Sequence, residues 1–108
     1  MRIEVLTVPD CPNGPLLVER ITAALAGRDA EVKHVEVPDE ATAATYGMAG
    51  SPTVLVDGVD PFAVPGARPS LSCRLYRAPD GTAEGAPDEA ALRQAVEAAG
   101  RRPRRAAS

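Results

Sequence analysis

Tryptophan is absent, phenylalanine occurs once and tyrosine twice in 108 residues, so aromatic side chains cannot fill the interior. The core must be assembled from Val, Leu, Ile and Ala, which a hydrophobic fraction of 44% supplies. Histidine occurs once and cysteine twice. There is no Ser/His/Asp set, no phosphate-binding glycine loop and no C-x-x-C metal pair, so the usual signs of those chemistries are missing. No metal and no cofactor is expected.

Long apolar runs are absent too, and no stretch approaches the length needed to span a bilayer. The N-terminal Met-Arg-Ile-Glu-Val-Leu-Thr-Val runs directly into a strand pattern without a charged lead and apolar stretch, so no signal peptide is read there. These features lead to a cytoplasmic expectation, a compartment in which structural disulfides are unusual. Arg101, Arg102, Arg104 and Arg105 contribute four positive charges to a net of −3, so the body before them stands at −7. A body that acidic repels nucleic-acid backbones, so neither nucleic acid nor membrane is an expected partner. The length suits one domain, expected over residues 1–99, with 100–108 a solvated, disordered basic tail.

Along the chain, residues 2–8 read as a buried strand. Pro9 to Pro15 is dense in turn residues, and Leu17, Ile21, Ala24 and Leu25 then recur at helical spacing until Gly27. Residues 31–37 read as a second strand, and Asp39 as the N-cap of a short helix from Glu40 to Tyr46 closed by Gly47. Residues 53–57 make a third strand, followed by a Pro- and Gly-rich passage from Val59 to Pro69. Ser70 to Arg77 alternates Leu71, Cys73 and Leu75 against Ser72, Arg74 and Tyr76, the pattern of a fourth strand. Asp88 caps a last helix through about Ala99. The order β-α-β-α-β-β-α predicts an α/β domain: one mixed four-stranded sheet flanked by helices, its first pair parallel and its last pair antiparallel.

Cys11 stands just after a strand and at the entrance to a helix. Unpaired N–H groups and the positive helix end favour thiolate over thiol there, which makes the sulfur a nucleophile. Pro12 and Pro15 suit this place because neither spends an N–H that the helix needs. Asp10, Asp57 and Asp60 are expected as turn or cap residues, and His34 as a surface residue of the second strand.

Farther on, Tyr46-Gly47-Met48-Ala49-Gly50-Ser51-Pro52-Thr53 resembles the thioredoxin segment Y-G-x-x-G-x-P-T that leads into an apolar strand. With the strand–Cys–Pro–helix pattern upstream, residues 2–99 resemble the thioredoxin-like superfamily, in particular short bacterial members. The resemblance implies a cis Ser51–Pro52 bond, Pro52 beside Cys11, and a Ser51 backbone that meets an extended substrate. Pro12, Ser51 and Pro52 are then the substrate-binding residues. The usual C-x-x-C motif reads Cys11-Pro12-Asn13-Gly14 here, closer to the monothiol glutaredoxin pattern, in which an external low-molecular-weight thiol resolves the intermediate.

Cys73 is the internal candidate to resolve Cys11, and the pair makes the expected catalytic set of a thiol-dependent oxidoreductase. Its expected partners are a disulfide-containing protein or a low-molecular-weight thiol. In an ordinary thioredoxin hairpin the start of the last strand lies far from the nucleophile, so the 58–69 passage decides whether Cys73 reaches it. Two alternatives stand beside this reading. The first is an organomercurial (alkylmercury) lyase-like or soft-metal-binding protein using Cys11, Cys73 and Asp10. The second is a non-catalytic binding module on the same fold.

Overall fold

In the computed structural model, which describes residues 1–101, strand β1 (Arg2–Thr7) is the middle of a three-stranded sheet. It pairs in parallel with β2 (Glu31–Glu36), Ile3 opposite Val32 and Val5 opposite His34. It pairs antiparallel with β4 (Thr53–Val56), Ile3 opposite Val56 and Val5 opposite Val54. Helix α1 (Gly14–Leu25) makes the crossover between the parallel strands, and α2 (Glu40–Tyr46) connects β2 to the short strand β3 (Ala49–Ser51). Then follow β5 (Ser70–Cys73), β6 (Tyr76–Arg77), β7 (Ala83–Glu84) and α3 (Glu89–Arg101).

Strand alternation sorts the core into two layers. Ile3, Val5, Val54 and Val56 point to one face, where Leu17, Ile21 and Leu25 of α1 and Leu92 and Val96 of α3 cover them. Leu6 and Leu55 point to the other face and meet Val37, Ala43 of α2 and Met48. Burying each of the larger side chains is worth roughly 1.5–3 kcal/mol. Leu17 is fully buried, so Leu17→Ala is expected to cost about 2–5 kcal/mol. Helix ends obey local chemistry. Asp39 accepts from the Thr42 N–H at 2.8 Å, Gly47 closes α2 at φ 69°, and Asp88 accepts from the Ala91 N–H at 2.8 Å.

The α/β architecture is that of the sequence reading, but the four-stranded sheet is not. The expected fourth strand breaks at Arg74. Its first half, β5, leaves the main sheet and pairs in parallel with β3, an element the sequence did not reveal. Its second half, β6, forms a small antiparallel pair with β7. The physical reason lies between β4 and β5. Asp57 and Gly58 turn the chain at φ 51° and 82°, and Val59 returns one isolated bridge to Val56. Pro61, Pro65 and Pro69 then supply no N–H for a ladder, so no long hairpin with β4 forms. Helix α3, expected through about Ala99, runs to Arg101. The expected tail lies, from residue 102 onward, outside the described residues.

Candidate functional site

The turn joining β1 to α1 carries Cys11. The Cys11 N–H donates to the Val8 carbonyl at 3.2 Å, and the Gly14 N–H donates to the Cys11 carbonyl at 3.3 Å. Asp10, exposed, takes the left-handed φ of 60° that bends the chain, a conformation Asp tolerates better than most residues. Pro12 is exposed beside the thiol. Asn13 is the N-cap residue, yet its side chain makes no capping bond. It lies instead against Gly85, so close that a Cβ there would overlap its amide. Cys11 is free and half-buried.

Beneath this turn lies the β3–β4 junction. The Ser51–Pro52 peptide is cis, and Pro52 is fully buried. The Ser51 hydroxyl, in a residue only 3% exposed, accepts the Val8 N–H at 3.1 Å. Val8 therefore gives its N–H to Ser51 and its carbonyl to Cys11, which ties both turns to one end of the sheet. Cys73 stands opposite Ser51 in the register of the β3–β5 pair. It is free and exposed.

Arg74, the residue after Cys73, turns inward. Its Nη1 meets Asp60 Oδ2 at 2.7 Å and Thr53 Oγ1 at 3.2 Å, and its Nη2 donates to the Phe62 carbonyl at 2.7 Å. The two charged side chains are only 9% and 10% exposed. The guanidinium also stacks over the Tyr76 ring, 4.7 Å from its centroid, and Phe62 packs edge-on against that ring. The Tyr76 hydroxyl donates to the Pro52 carbonyl. Burial, partly offset by the Arg74 charge, pushes the Tyr76 hydroxyl well above the ordinary tyrosine range. Through its backbone, Arg74 donates to the Ser51 carbonyl at 2.9 Å, while the Ser70 N–H donates to the Met48 carbonyl at 2.9 Å. The backbone expected to meet a substrate is thus already paired with β5.

A family model described as a thioredoxin domain matches residues 1–72. The chain belongs to the thioredoxin-domain family. No curated protein and no solved structure gives a significant match. In this thioredoxin-domain protein the matched span includes Cys11, Pro12, Ser51 and Pro52 and ends one residue before Cys73.

Gly14 stands where a dithiol thioredoxin domain would carry its second cysteine. It is buried, and a Cβ there would sit 3.1 Å from Thr7 Cγ2 and 4.0 Å from His34 Nε2. His34, an exposed residue of β2, reaches across to Thr7, its Nε2 2.6 Å from Thr7 Oγ1. Sequence reasoning gave His34 no partner, and the parallel register that creates this contact has no local signature. Asp60 is a turn residue, accepting the Phe62 N–H at 2.8 Å, and also the counter-ion of Arg74. Its motif, Asp-Pro-Phe, signals only the turn. Asp57 accepts the Arg2 N–H at 2.8 Å. Among the described residues no group of three or more His, Cys, Asp or Glu side chains is placed to hold a metal ion. No helix among them is long and apolar enough to cross a membrane.

Proposed function

We propose that this thioredoxin-domain protein carries out thiol–disulfide exchange with Cys11 as its nucleophile. The observation that supports this most is the position of Cys11: a free, half-buried thiol in the turn entering α1, tied through Val8 to the Ser51–Pro52 junction. A sulfur there is held by the backbone of its turn and is half-exposed to solvent.

In the exchange, the Cys11 thiolate attacks one sulfur of a disulfide R–S–S–R. That S–S bond breaks, Cys11–S–S–R forms, and the departing thiolate takes a proton from water. Gly14 offers no second thiol in the motif, which leaves two ways to complete the cycle. A low-molecular-weight thiolate can attack the R sulfur and return Cys11 as thiolate. Alternatively, Cys73 attacks the Cys11 sulfur and expels the second RS group. Two small thiols then reduce the Cys11–Cys73 disulfide and leave as one small disulfide. What supports this second route is that Cys73 is free, exposed and paired in register with Ser51. Pro12, exposed next to Cys11, and the Ser51–Pro52 turn, linked to Cys11 through Val8, are the residues that would receive the substrate. The partners are a disulfide-bearing protein or a low-molecular-weight thiol, and a reducing compartment such as the cytoplasm suits free thiols.

The test traps the mixed disulfide and identifies its cysteine by peptide mass spectrometry, with the alkylation rate of each thiol and disulfide turnover measured beside it. Cys11 is expected to be the cysteine that carries the trapped mixed disulfide, and Cys11→Ser to abolish turnover. A Cys11 that reacts no faster than an unstructured peptide thiol, together with turnover that survives Cys11→Ser, would overturn the reading.

A further inference from the structure

One way an extended polypeptide docks on a fold is to add a strand to a free edge, where backbone N–H and C=O groups stand unpaired. Strand β3 reaches the Cys11 turn, since Ser51 at its end holds Val8. That edge is not free. Along it, Met48 and Ser51 each give a carbonyl to the chain's own β5 segment, through the N–H groups of Ser70 and Arg74. Ser51 and Cys73 are paired in register.

The approach is close enough to require glycine. Gly50 sits at φ 118°, and a Cβ on it would come 2.8 Å from Arg74 Cβ and 3.1 Å from the Ser72 carbonyl oxygen. Leu71 packs on the core beside Met48, and the end of β5 is fixed by the Arg74 side chain, whose fork reaches Asp60, Thr53 and the Phe62 carbonyl in a nearly dry setting. A planar guanidinium with several fixed partners is a strong geometric clamp.

From this we infer that β5 is a built-in occupant of the peptide-docking edge, and that Arg74 is the residue selecting small disulfides over extended peptide disulfides at Cys11. The inference rests on the reading of Cys11 as an exchange nucleophile. A disulfide of two small thiols needs only the sulfur itself and the exposed surface at Pro12 and Cys73. A peptide disulfide gains no backbone pairing and must fit its chain over a closed edge. The reaction in both cases is Cys11–S⁻ + R–S–S–R giving Cys11–S–S–R + R–S⁻. A second small thiolate then restores Cys11 and carries R away as a new disulfide.

The experiment compares bis(2-hydroxyethyl) disulfide with an unstructured peptide whose single cysteine carries the same hydroxyethyl mixed disulfide. Both are followed with the full chain, Cys11→Ser, Arg74→Ala and Arg74→Lys. Arg74→Lys keeps a charge on Asp60 but loses the fork, so it serves if the alanine variant fails to fold. The native chain is expected to favour the small disulfide by about tenfold or more. Releasing Arg74 is expected to raise the peptide rate several-fold and leave the small-disulfide rate unchanged. Amide exchange at Ser70 and Arg74 should quicken in the same variants, while β1 stays protected. Equal rates in the native chain, or a preference unmoved when those amides have become labile, would overturn the inference and leave the role of Cys11 standing. Rates for both disulfides no higher than those of Cys11→Ser would overturn the exchange reading and the inference with it.

Discussion

The backbone N–H of Arg74 donates to the carbonyl of Ser51, and the Arg74 side chain anchors in Asp60 and the Phe62 carbonyl. One residue thus closes an edge with its main chain and locks it with its side chain. The Ser51 carbonyl, just before Pro52, is joined to the chain's own β5 segment.

The Arg74–Asp60 pair is about nine-tenths buried, so removing one partner leaves an uncompensated charge. Arg74→Ala is expected to lower stability by about 3–5 kcal/mol. Urea unfolding measures the loss. A cost under ~1 kcal/mol would mean that water reaches Asp60 as soon as its partner leaves.

Gly14 and Thr7 explain why a second motif cysteine fits poorly. Gly14→Cys is expected to destabilise the chain, because the new Cβ meets the Thr7 methyl at 3.1 Å. Thr7→Ser removes that methyl and keeps the hydroxyl that bonds His34. The double variant is therefore expected to be more stable than Gly14→Cys alone. It should also form a disulfide between Cys11 and the introduced thiol more readily. Thermal unfolding and thiol counting after mild oxidation provide the comparison.

Tyr76→Phe deletes the hydroxyl that satisfies the buried Pro52 carbonyl, at an expected cost of about 1–3 kcal/mol. Burial raises the folded ionisation of Tyr76, so its contribution to stability is complete below the ordinary tyrosine value of about 10 and declines as pH rises beyond it. Denaturation midpoints on both sides of that pH should fall more steeply for the native chain than for Tyr76→Phe. Parallel curves would mean that Tyr76 ionises freely in the folded protein.

Asp39 caps the first turn of α2. Hydrogen bonds from the Thr42 side chain and from the Thr42 N–H hold its carboxyl below the usual carboxylate range. Its stabilisation is therefore present above that usual range and is lost as pH falls through the lower folded value. Asp39→Asn retains a capping oxygen without the charge. Its acid unfolding curve is expected to lack the Asp39 component, whereas Asp39→Ala should weaken α2 at every pH. Superimposable acid limbs for native and Asp39→Asn chains would remove the assignment.

Local chemistry made much of the fold readable. The 3.6-residue spacing of Leu17, Ile21 and Leu25, the Asp39 and Asp88 caps, the Gly47 stop and the β-branched strands were all legible. Each depends on neighbours a few residues away. The Cys11-Pro12 turn and the Ser51-Pro52-Thr53 run were legible for the same reason, and the family match covers both.

What the tertiary structure alone decided is everything that depends on partners far along the chain. The run from Ser70 to Arg77 has the alternation of one strand. Burying its Arg74 beside Asp60, 14 residues earlier, requires the chain to break there. Alternation records which side chains share a face; it holds no information about which strand lies alongside, or in which direction. Sequence alone thus determined an α/β thioredoxin-like chain with a cysteine at a helix entrance. Long-range burial and hydrogen bonding decided that β5 lies on β3, that the Ser51 carbonyl is already paired, and that Cys73 stands opposite Ser51.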